Sequence, residues 1–159
     1  VLPLLGNHDL VGVKPADGST PEADPAAFFR ELFGLDSSRR TLDVSGVRFL
    51  FLDTAAPDAA AGTYEGVVGP DQREWIRRIL AETPNDQPIV LCSHIPFRST
   101  FLQAKDGPTA PLPPNLVVRD AAETLALFDA HRLALVLQGH LHINELIRLN
   151  NTTFLIGGA

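Results

Sequence analysis

A single cysteine in 159 residues excludes an intrachain disulfide. Cys92, set in the apolar run Ile89-Val90-Leu91-Cys92, reads as a strand filler rather than a reactive thiol. The same scarcity argues against a structural zinc site, which takes several thiolates. Basic residues are outnumbered: 13 Lys and Arg face 19 Asp and Glu, for a formal charge of -6. With no basic face to displace phosphate counterions, no nucleic-acid surface is expected, and an anionic substrate would need a local positive centre. No apolar run reaches the roughly 18 to 20 residues that span a bilayer, so no membrane segment is expected. The start also lacks the basic and apolar regions of a signal peptide. An initiator methionine is missing too: Val1 opens inside an apolar run, and the chain stops abruptly after Phe154-Leu155-Ile156-Gly157-Gly158-Ala159. The expectation is a piece of a longer protein, whose compartment cannot be read from missing signals.

What is present fits one domain with a real core, at 45% hydrophobic and 20% charged residues. Apolar strand patterns alternate with amphipathic stretches, which points to an α/β layered domain, and no internal repeat is visible. Val1 to Leu5 reads as a first strand. Pro25 opens a helix to about Phe33, with Asp24 as cap and Gly34 as stop. Thr41 to Val44 and Val47 to Leu52 form a hairpin around Ser45-Gly46, with Asp53 at its end. A helix begins at Pro70, and its apolar stripe is Trp75, Ile76, Ile79 and Leu80, with Trp75 as a core anchor.

Ile89 to Cys92 is a strand that delivers His94 to a loop. The Pro-rich passage from Phe97 to Val118 lacks the periodicity of a regular element and reads as a loop covering the site. Asp120 to Arg132 is helical in pattern, with Leu125, Leu127 and Phe128 inward and His131 capping carbonyls of its last turn. Leu133 to Leu137 is a buried strand, and Glu145 to Leu149 with Thr152 to Ile156 form a hairpin around Asn150-Asn151.

The chemistry-bearing residues cluster at strand ends. Only five histidines occur, and two of them, His140 and His142, stand one residue apart just after a strand. Period-two alternation puts both imidazoles on one side of an extended segment, in chelate geometry. Asn7 and His8 follow the first strand, and His94 follows another. If these strand ends share one sheet edge, the five side chains converge. Imidazole nitrogens with an amide oxygen form a mixed set suited to a divalent ion doing hydrolytic work.

Gly6-Asn7-His8-Asp9, His94 within Cys92-Ser93-His94-Ile95-Pro96, and Gly139-His140-Leu141-His142 together resemble the calcineurin-like metallophosphoesterases. That family carries Asp-x-His, Gly-Asp-x-x-Asp, Gly-Asn-His-Asp/Glu, a lone His after a strand, and Gly-His-x-His. The resemblance spans almost the whole chain, but the first two blocks do not precede Gly6 here. It implies a layered sandwich of mixed β-sheets flanked by helices, N-terminally truncated, with residues 1–159 as one partial catalytic domain.

The resemblance also implies a function. Asn7, His94 and His140 would ligate one metal and His142 another, with two divalent ions (Mn, Fe or Zn) in the intact enzyme and one or none for these residues alone. His8 would assist the leaving group and Asp9 would orient it, in hydrolysis of a small phosphoester by a metal-activated water. The stretch from Val47 to the helix at Pro70 is similar to cyclic-nucleotide phosphodiesterase-like members, and the ending resembles bacterial members of undefined substrate. Arg98 and Lys105 are candidate phosphate contacts. Two other classes compete: a non-catalytic structural or interaction fragment, and a mononuclear iron site using His94, His140 and Asp9. Self-association through an apolar edge left by the missing strand is expected.

Overall fold

The computed structural model describes residues 2–10, 13, 23–58 and 60–158. Its strands are β1 (Arg40–Val44), β2 (Val47–Phe51), β3 (Ala55–Asp58), β4 (Thr63–Gly66), β5 (Ile89–Cys92), β6 (Leu133–Gln138), β7 (Glu145–Leu149) and β8 (Thr152–Ile156). The helices are α1 (Ala27–Phe33), α2 (Gly69–Ala81), α3 (Phe101–Asp106) and α4 (Ala121–Leu125). Six strands form one mixed sheet in the order β1-β2-β5-β6-β8-β7, and β3 and β4 form a second, two-stranded sheet. The fold is therefore α/β with a large mixed sheet, a small sheet and flanking helices. No described helix is long and apolar enough to cross a membrane.

The four inner strands, β2, β5, β6 and β8, run parallel, while β1 and β7 are antiparallel at the edges. Parallel neighbours end at one edge of the sheet: Cys92 of β5 sits opposite Leu137 of β6. Whatever follows these two strands emerges side by side, and this places the candidate site.

Alternation along each strand sorts the apolar residues onto two faces. Leu50, Ile89, Leu91, Val136 and Phe154 point into the main core, where α2 contributes Ile76 and Leu80 and the α4 region contributes Phe128. Full burial of each aliphatic side chain from α2 stabilises the packing by about 1.5–3 kcal/mol. Trp75 is half-buried at the rim rather than a central anchor, with the Arg39 guanidinium 5.9 Å from its ring. The opposite face carries Phe51, Val90 and Cys92, flanked by partly buried Leu42, Val47, Phe49, Leu135 and Leu137, and no helical residue joins that cluster.

Several boundaries differ from the sequence expectation. Leu2 to Gly6 is not a strand, and Val1 lies outside the described residues. Leu4 packs on the second face and Leu5 is buried, while the Arg40 guanidinium donates to the Pro3 carbonyl, so this apolar run crosses the sheet instead of pairing. The first helix starts at Ala27 rather than Pro25, with no side-chain cap; Asp24 instead pairs with Arg30. Gly34 ends it at φ 62°, the left-handed conformation a glycine adopts without penalty. The hairpins at Ser45-Gly46 and Asn150-Asn151 hold, with positive φ at Ser45, Gly46 and Asn150.

The passage 97–118 is not structureless, since α3 lies within it. The helix expected to run to Arg132 stops at Leu125 and tightens into a 3-10 turn, Ala126–Phe128. It cannot continue because the Arg132 carbonyl accepts from Ile89 N–H and so belongs to the sheet. His131 caps nothing: its Nδ1 is buried without a partner in the described structure.

Candidate metal centre

Three side chains meet at the shared strand edge. Asn7 Oδ1 lies 2.8 Å from His94 Nε2 and 3.2 Å from His140 Nδ1, and the two ring nitrogens are 3.2 Å apart. Each is held by its own local device. Asn7 sits in a 3-10 turn (Asn7–Asp9) closed when the Gly6 N–H donates to Asp9 Oδ2 at 2.8 Å. Gly6 packs closely under the His94 ring, where a Cβ would stand 3.1 Å from Nδ1 and the imidazole would have to give by a few tenths of an ångström.

His94 leaves β5 with its backbone pinned on both sides. Thr54 Oγ1 accepts from Ile95 N–H at 2.9 Å, and the His94 carbonyl accepts from Gly139 N–H at 3.0 Å. Gln138 clamps the loop beyond, accepting from Phe97 N–H (2.7 Å) and Arg98 N–H (3.2 Å) and donating to the Arg98 carbonyl (3.1 Å). Thr54 and Gln138 are buried polar residues that sequence reasoning passed over. Their signal was a polar residue closing an apolar strand.

His140 is fixed by the passage 97–118, which does cover the site. Its Nε2–H donates to the Asn115 carbonyl at 2.9 Å, and Tyr64 from the small sheet meets its ring edge-on at 5.8 Å. No side-chain pattern could have disclosed Asn115, since the contact is through its main chain. A carbonyl only accepts, so Nε2 carries the proton and Nδ1 of the neutral ring presents a lone pair to Asn7 and His94.

Both imidazoles are kept neutral. Burial first, then His140, His8 and His142, pull the His94 pKa down to about 4 against a raising influence from Asp9. Burial likewise lowers that of His140, against the Asn115 hydrogen bond. Three acceptor-capable atoms thus converge with one proton at most, on His94 Nε2. The Asn7–His140 pair is left acceptor to acceptor, an arrangement that a cation relieves.

The donor set passes a simple fit test. The three atoms lie on a circle of about 1.8 Å radius, so a point about 2.1 Å from all three exists just off their plane, within the range of metal–nitrogen and metal–oxygen bonds. The Asn115 carbonyl behind His140 is the kind of outer partner that orients a ligating imidazole. Among the described residues no group of three or more His, Cys, Asp or Glu is arranged to hold an ion. The set therefore depends on the Asn7 amide.

The remaining candidates stand apart. His140 and His142 have φ of 72° and 53°, so their segment is not extended, and the period-two argument for a shared side fails. His142 is exposed and makes no hydrogen bond to the trio. His8 is exposed beside Asn7, and the Asp9 carboxylate is engaged by the Gly6 N–H while Asn7 takes the third vertex. Lys105 pairs weakly with Asp106 at 4.0 Å, and Arg98 lines a groove beside α4. Cys92 is buried and its thiol is pushed up to about 11, which makes it inert as a nucleophile.

No family model matches the chain, and no curated protein matches it.

Proposed function

We propose that this chain is the C-terminal part of a metallophosphoesterase-like catalytic domain that hydrolyses a small phosphoester, a phosphodiester or a broader range, at a dinuclear divalent-metal centre. The observation that carries the proposal is the convergence of Asn7 Oδ1, His94 Nε2 and His140 Nδ1 with too few protons to satisfy one another. These three hold one ion, and the exposed His142 imidazole is available to a second. Divalent ions held by these residues would supply Lewis-acid charge and a water of lowered pKa for attack on phosphorus.

The chain's own residues do the rest. His8, exposed next to Asn7, donates a proton to the departing oxygen, and Asp9 holds the turn that presents it. Asn115 and Gln138 fix the two ligating loops so that the ligand set is preorganised. The neutral ligands add no negative charge, so an anionic substrate is accepted despite the formal charge of -6. In the resembling family the centre is completed by the carboxylate-containing blocks Asp-x-His and Gly-Asp-x-x-Asp. The half-covered sheet face is proposed as a surface for self-association.

The test is manganese-dependent hydrolysis of bis(4-nitrophenyl) phosphate, with the upstream coding sequence included. Activity abolished by His140→Ala, and lowered in turnover but not in metal content by His8→Ala, supports the reading. Equal loss of metal and turnover in His8→Ala makes His8 a ligand, and absence of hydrolysis with every divalent ion overturns the assignment.

A further inference from the structure

A second concave site lies away from the trio. It runs from the start of β6, where His131 and Arg132 stand, past the β7–β8 turn and along α4 to Arg98, and encloses about 610 Å³. That volume is within the range of small-molecule pockets, roughly 300–1,000 Å³. Its floor is apolar, with Phe128 and Phe154 buried and Leu125 half-buried beneath it.

Its rim is unlike the rest of this acidic protein. Arg98 and Arg132 both line the groove, and among the described residues neither takes part in an ion pair. Asp129 is the one carboxylate among the lining residues. The hydroxyl of Thr152 is already committed, donating to the Leu133 carbonyl at 2.8 Å.

We infer that this groove binds a small organic anion with an apolar body, seated on Phe128 and Phe154 with its charged end at the Arg98 and Arg132 guanidiniums. A guanidinium offers a fork of donors to a carboxylate, sulfonate or phosphate, and the apolar floor selects against a bare inorganic ion. None of the three converging side chains Asn7, His94 and His140 lines the groove, although its Arg98 stands in the loop after His94 that Gln138 holds.

The probe is 8-anilino-1-naphthalenesulfonate, an aromatic monoanion, titrated by fluorescence and mapped by backbone amide shifts. The expected result is one site whose shifts centre on residues 129–133 and 150–154. Arg132→Gln and Arg98→Gln each weaken binding about tenfold or more, the scale of one charge-assisted hydrogen bond. Ala126→Trp, at an exposed groove position on the 3-10 turn after α4, blocks binding by filling the space, with its fold checked by circular dichroism. Arg148→Gln, exposed on β7 and outside the groove, leaves affinity unchanged. If the shifts map instead to the Phe49, Leu135 and Leu137 face, or if both arginine variants bind as well as the parent, the inference is wrong. Equal shifts at the same amides with inorganic phosphate at the same concentration also overturn it, because the apolar floor would then play no part.

Discussion

His140 donates its Nε2–H to the main-chain carbonyl of Asn115 at 2.9 Å, across 25 residues of sequence. One contact thereby ties the loop after β6 to the Pro-rich passage and fixes which ring nitrogen is free for a ligand. In the metal-free protein the His140 ring is expected as the Nε2–H tautomer, readable from long-range imidazole nitrogen shifts. An Nδ1–H tautomer would remove the lone pair from the trio and contradict the proton count on which the centre rests.

Gly66 gives a packing prediction. A Cβ added there would overlap the Val117 carbonyl and stand 2.9 Å from the Ile95 side chain. Backbone cannot yield as a side-chain tip can, so Gly66→Ala is expected to cost about 1–3 kcal/mol in urea unfolding. Unchanged stability would mean that β4 and the turn at 114–118 are not packed this closely.

Asp53 gives a pH prediction. Burial raises its pKa, against the Ser38 hydrogen bond and the nearby Arg39, Arg30 and Arg40, and its Oδ1 has no partner among the described residues. The folded-state value lies above the unfolded one, so the protonated carboxyl contributes stability fully below the ordinary Asp range, and this is lost as pH rises through the folded value. Asp53→Asn is therefore expected to gain stability relative to the parent between pH 4 and pH 7, in matched denaturant titrations. A stability difference that does not change with pH would contradict the assignment.

The sheet face bearing Phe49, Leu135 and Leu137, which stay only partly buried, gives an association prediction. Apolar surface is also exposed on the edge strands, at Val44 of β1 and at Leu146 and Leu149 of β7. The edge strands β1 and β7 carry Arg40, Asp43, Glu145 and Arg148, which discourage edge pairing. Sedimentation velocity is expected to show concentration-dependent association that Phe49→Ser reduces. A single monomeric species across the concentration range would refute it.

Much of the fold was legible because its signals were local. The strand Ile89 to Cys92, the two hairpins and the glycine stop of α1 follow from apolar runs and turn residues. What failed depended on distant partners. Whether Leu2 to Leu5 pairs or merely packs is decided by which sheet positions are already filled, and the end of α4 by the demand that β5 makes on Arg132. The small sheet β3–β4 has no strong signal in the sequence because its strands are four residues each and contain Gly and Pro.

At the candidate centre, strand order brought Asn7, His94 and His140 together as the motifs implied, since β5 and β6 are parallel neighbours. The reasoning from alternation did not survive for His140 and His142, because both adopt left-handed backbone that no period-two rule describes.

The most direct measurement is anomalous diffraction at the manganese or zinc edge from crystals of the chain grown with that ion. The account predicts an anomalous peak about 2.0–2.2 Å from Asn7 Oδ1, His94 Nε2 and His140 Nδ1 together. A peak only elsewhere, or a trio closed on itself with no ion at millimolar metal, would contradict it.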